Sequence, residues 1–89
     1  MKDLTGVSRQ LTTIAKGMQQ GENPQRAVAA AEGIMAKHGV ASELMARYGS
    51  SSTTNELAVP FGRIRGGNTG PVTVAHAVTA LNQVAKRCL

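Results

Sequence analysis

The sequence predicts an all-α or mostly α fold: a small bundle of three to four helices with a basic glycine-rich loop and one short extended segment. Two observations lead there. Apolar residues recur at three- and four-residue spacing along most of the chain, and Gly or Asn-Pro stands where each periodic stretch stops or starts. A third observation bounds the size: 89 residues make one domain, 1–89, and Leu, Ile, Val and Phe supply only 18 of them. With Tyr48 and Phe61 as the aromatics, the core must be built largely of Ala and Val. A homo-oligomer or another partner is therefore expected to add buried surface.

The first helix is expected over about 4–20, with Leu4, Val7, Leu11, Ile14, Ala15 and Met18 on one stripe. Gly21 stops it. Asn23 then caps a second helix over about 24–38, with Pro24 at its first position and Ala27, Val28, Ala31, Ile34 and Met35 on one face. Gly39 ends that helix, and a short third one, about 42–48, starts at a small residue, Ser42, and stops at Gly49. Ser/Thr-rich residues 50–54 read as a hinge. Leu57-Ala58-Val59-Pro60-Phe61 and Ile64 read as a short extended segment, which Pro60 confines to an edge. The last helix, about 71–88, carries Val74, Ala77, Val78, Leu81, Val84, Ala85 and Cys88 on its apolar face. Lys86 and Arg87 complement the dipole in its final turn.

Charge is uneven along the chain. The first 56 residues hold six Lys and Arg against five acids, whereas 57–89 hold Arg63, Arg65, Lys86 and Arg87 and no acid. Such polarisation suggests nucleic acid or an acidic protein surface as partner; it also serves plain solubility. The glycine-rich loop, 62–70, precedes a helix and fits G-x-x-x-x-G-x-T, but Asn68 stands where a phosphate-binding P-loop needs lysine. Nucleotide hydrolysis is thereby excluded. What survives is an anion-holding candidate: the backbone of Gly66, Gly67, Asn68 and Thr69, with Arg63 and Arg65 on one face if that stretch is extended. The same glycines also suit an ordinary tight turn.

Residues 31–48 have the outline of a helix-turn-helix, with Ile34, Val40, Met45 and Tyr48 inside and Ser42, Glu43 and Arg47 facing a groove. Helix–glycine–helix corners are equally common where no DNA is read. Within 8–40, Ile14-Ala15-Lys16, Asn23-Pro24, Ala27, Ala31 and Ile34-Met35-Ala36-Lys37-His38-Gly39-Val40 resemble a small bacterial and phage domain of unknown function. That domain is marked by a Leu-Met-x-Lys-His/Tyr-Gly box after alanines at four-residue spacing. Asn23 and Pro24 stand where that family has Glu-Ala. The resemblance implies a helical hairpin of bacterial, plasmid or phage origin and supplies no catalytic residue.

His38 and His76 have no partner at metal-ligand spacing, the acids are scattered, and Cys88 reads as a packing residue or free thiol. The expectation is a non-enzyme without metal or cofactor. A single cysteine excludes an intrachain disulfide, and no apolar run reaches membrane-spanning length, so a cytoplasmic protein is expected. The favoured function is non-catalytic binding of nucleic acid or another polyanion through Arg63, Arg65, 66–70, Lys86 and Arg87. The alternatives are a small phage or mobile-element inhibitor or adaptor of a host protein, and a binder of a small anion such as a nucleotide.

Overall fold

The computed structural model describes residues 1–50 and 52–89 and is all-α, with no strand among them. In chain order come α1 (Thr5–Gln19), α2 (Pro24–Lys37), α3 (Val40–Tyr48), the single turn α4 (Ser52–Asn55), α5 (Ala58–Arg65) and α6 (Pro71–Arg87). Five helices of eight residues or more, among the described residues, replace the three to four expected.

α1 and α6 lie side by side in opposite directions. The Ser8 hydroxyl donates to the Ala85 carbonyl across 2.6 Å near one end of the pair, while Met18, Val74 and Val78 line a common hollow at the other. Leu11, Ala15, Ala77, Leu81 and Val84 are fully buried between them. The alanines matter physically: a side chain of one methyl lets two helix backbones approach closely, so a thin core still packs densely. α2 runs back along α1, and α5 bridges α2 and α6, tied by Gln25 Nε2 donating to the Ile64 carbonyl at 3.2 Å. Buried residues from α1, α2, α3, α5 and α6 form one cluster.

The turn chemistry explains where helices stop. After α1, Gly21 takes φ +92° and its amide donates to Met18 O, while Glu22 N donates to Gly17 O. This is a Schellman closure, which only a residue tolerant of positive φ completes without strain. Asn23 then caps α2 as expected, its Oδ1 accepting from the amides of Gln25 and Arg26 at 3.0 and 3.2 Å. α3 begins two residues earlier than expected, at Val40. Gly39, with φ +60°, is its N-cap, and Ser42 lies inside the helix, exposed.

Two expectations fail after residue 50. Ser52–Asn55 is a helical turn; Ser51, within the expected hinge, lies outside the described residues. The extended segment is α5 instead. Pro60 sits in the first helical turn, where its missing N–H would have no intrahelical acceptor anyway, so the residue that argued for a strand edge is tolerated by the helix. Leu57, Phe61 and Ile64 stand at i, i+4 and i+7 and are all buried, and Phe61 N donates to Leu57 O at 2.9 Å.

Gly33 lies in the middle of α2, exposed, and a Cβ built there meets nothing within 4 Å. Glycine in a helix interior is less favourable than alanine by roughly 0.5–1 kcal/mol. Gly33→Ala is expected to raise the unfolding free energy by about that amount in urea titrations; a loss of stability would show that this face of α2 is already covered.

Candidate functional site

The glycine-rich loop proves to be a helix C-cap. Gly62, Arg63 and Arg65 belong to α5, and only 66–70 connect it to α6. Gly67 takes φ +103° and donates to Ile64 O, Asn68 N donates to Arg63 O at 2.8 Å, and Gly66 N donates to Gly62 O. The Gly70 amide donates to Asn68 Oδ1 at 3.2 Å. The amides of Gly66, Gly67, Asn68 and Gly70 are thus consumed within the chain, the pattern of a Schellman cap and an Asn-closed turn. Donors spent on carbonyls are not presented to an anion, which corrects the expected phosphate cradle. Thr69 lines a hollow of about 690 Å³ between the end of α1 and the start of α6, and Glu22 is the sole charged residue lining it. That is a poor place for an anion.

Nor do the arginines act together. Two residues apart on a helix places them about 200° apart around its axis, not on one face as an extended strand would. Arg63 is exposed, whereas Arg65 pairs with Glu32 of α2 at the surface. Lys86 and Arg87 are at the far end of α6, about 25 Å from the 66–70 turn by helix rise. The acid-free C-terminal third therefore forms two separate basic regions.

The second of these has its own shape. Ser52, Thr53, Glu56, Gln83, Lys86 and Arg87 line an open polar cleft of about 460 Å³. The Arg87 guanidinium lies over the Tyr48 ring, 4.8 Å from its centroid.

The α2–α3 corner is built differently from the expected DNA reader. Arg47 is folded inward, its side chain 7% exposed. Its Nε donates to Glu43 Oε2 at 3.2 Å, Nη1 donates to the Arg87 carbonyl at 3.2 Å, and Nη2 donates to the Lys2 carbonyl. One planar guanidinium thereby joins α3, the residues before α1 and the last turn of α6, a task suited to its rigid fork. Glu43 also accepts from Lys2 N, and Lys2 Nζ donates to the His38 carbonyl. Neither Arg47 nor Glu43 faces outward as a base-reading contact; Ser42 alone of the three is exposed. The buried face of α3 is Val40 and Leu44, while Met45 and Tyr48, placed inside by the expectation, are about half exposed.

Asp3 accepts from Thr5 N at 2.9 Å, and that hydrogen bond holds its carboxyl below the ordinary carboxylate range. Burial pushes the Cys88 thiol up, with nearby Arg47 opposing, so the buried thiol is chemically quiet at neutral pH. Among the described residues no group of three His, Cys, Asp or Glu side chains is placed to hold a metal, and no helix is long and apolar enough to cross a membrane.

One surface was not visible from the sequence. Along the seam of α1 and α2, Arg9, Gln10, Thr13, Ile14, Ala30 and Ile34 line a shallow, almost wholly apolar hollow. It continues past Ile14 and Ala30 into a second, lined also by Glu22, Asn23, Arg26 and Ala27. Ile14 and Ile34 are only partly buried, at the edge of the core. Sequence periodicity places both isoleucines on core stripes; their partial exposure follows from how α2 leans on α1.

Comparisons with protein-family models, with curated proteins and with solved structures give no match for this chain.

Proposed function

We propose that this is a non-catalytic binding protein that acts by protein–protein contact, as an inhibitor or adaptor, with the bacterial or phage origin implied by the resemblance of residues 8–40. The observation that carries the reading is the α1–α2 groove, an open apolar seam flanked by cations. A thin Ala- and Val-based core supports the same view, because a partner that covers Ile14 and Ile34 adds buried apolar area to a domain with little of its own.

A second reading, nucleic-acid binding, is favoured by the cleft at Lys86 and Arg87, where two cations stand with the Ser52 and Thr53 hydroxyls. Backbone-phosphate contacts of this kind are salt-dependent and carry little sequence information. Glu56 in the same cleft and the C-terminal dipole of α6 weigh against it.

Site-specific photo-crosslinking separates the two. With a benzophenone amino acid at Ala30, incubation in bacterial lysate is expected to give a protein adduct that survives nuclease treatment. The same probe at Gln83, in the polar cleft, gives none. Nucleic-acid adducts from Gln83 and nothing from Ala30 would overturn the reading in favour of its rival.

A further inference from the structure

We infer that the α1–α2 groove is the docking site for an acidic amphipathic helix of a partner protein. This rests on the protein-binding reading above and names the partner's chemistry. The two hollows share Ile14 and Ala30, so they form one continuous groove, with Ile34 at one end and Ala27 at the other. Its floor is aliphatic. Cations stand along it: Arg9 lines the end beside Ile34, and Arg26 lines the opposite end. Lys37, exposed, follows Ile34 by three residues and so lies on the same side of α2. None of the three is in an ion pair among the described residues, and Glu22 is the one carboxylate lining the groove. From Arg26 to Lys37 the helix rises about 16 Å, the length of three helical turns.

A three-turn helix with apolar residues at three- and four-residue spacing fits that floor, and carboxylates on its flanks fit those cations. Exposed Ala30 and Gly33 present little side-chain bulk, so a docked helix approaches closely. A second copy of this chain fits worse. Pairing two copies about a twofold axis sets Arg26 and Lys37 of one against the same cations of the other, with like charges opposed at both ends. Nucleic acid would satisfy the cations but leave the aliphatic floor against phosphates.

The test titrates the isotope-labelled full chain with a synthetic peptide of about 14 residues, three to four turns, with leucines at helical spacing and glutamates elsewhere. A scrambled peptide and one with glutamine for glutamate serve as comparisons. The ordered acidic peptide is expected to shift the amide resonances of Ile14, Ala30 and Ile34. It should bind about tenfold more tightly than either comparison, with a similar loss for Arg9→Glu combined with Arg26→Glu. Thermal melting of that double variant checks that it remains folded; both positions are exposed. Equal affinity for the glutamine peptide would refute the acidic partner while leaving the groove a protein site. Equal affinity for the scrambled peptide would refute the helical occupant. Self-association abolished by Ile34→Asp would make the occupant a second copy. The same shifts produced by duplex DNA would overturn both the inference and the reading beneath it.

Discussion

Arg47→Ala is expected to lower the unfolding free energy by about 3 kcal/mol, one of the two largest single-residue effects anticipated in this protein. The side chain is nearly buried and donates to Glu43 and to the carbonyls of Lys2 and Arg87. Truncation leaves Glu43, itself only 14% exposed on its side chain, without its cation and strips a donor from two carbonyls. Removing one partner of a buried, hydrogen-bonded pair costs roughly 3–5 kcal/mol; the lower figure applies because water reaches the exposed carbonyls. In a domain of this size the melting temperature falls by roughly 4–8 °C per kcal/mol. Arg47→Lys should recover less than half of the loss, since a single ammonium cannot span the three acceptors as the guanidinium fork does. Circular-dichroism melting curves read both effects. A change below about 0.5 kcal/mol for the alanine variant would reduce Arg47 to an ordinary surface side chain.

Phe61→Ala is expected to be at least as damaging, by roughly 3–5 kcal/mol. Phe61 is 2% exposed in α5, between buried Leu57 and Ile64, and the only phenylalanine leaves a hollow that neighbouring alanines cannot fill. Small domains have about 5 kcal/mol or little more in total, so the variant stands at the edge of unfolding. Val59, two positions earlier and 53% exposed, supplies the control: Val59→Ala should change stability by less than about 0.5 kcal/mol. Matching urea midpoints for the two variants would show that α5 does not pack by its Leu57–Phe61–Ile64 face.

These two residues also show what the sequence disclosed and what it hid. α1, α2 and α6 were legible because period and punctuation agree: Leu11, Ala15 and Met18 repeat at helical spacing, and Gly21, Asn23 and Pro24 fix the first corner. The Leu57–Phe61–Ile64 stripe is equally present, but Pro60 in sequence argues for a strand edge, whereas its place in a first helical turn makes it harmless. Arg47 could not have been assigned its role. Two of its three acceptors are backbone carbonyls forty or more residues away, at Lys2 and Arg87, and main-chain oxygens carry no residue-specific signal. The basic loop misled for a related reason. Gly66, Gly67 and Asn68 look like exposed donors in sequence, and only the fold reveals that α5 has already taken their hydrogens. The groove at Ile14 and Ile34 depends on the angle between two helices, which no periodicity specifies.

The pairing of α1 with α6 governs the order in which this chain can fold. α1 finds its main surface only on the last helix, so Leu11, Ala15 and Met18 have no complete cover until Ala77, Leu81 and Val84 have been made. Closing that long loop carries an entropic penalty that local helix contacts do not. Until α6 is in place α1 has only α2 to pack against, so the apolar stripe of α1 is covered in full only by a contact that joins distant parts of the sequence.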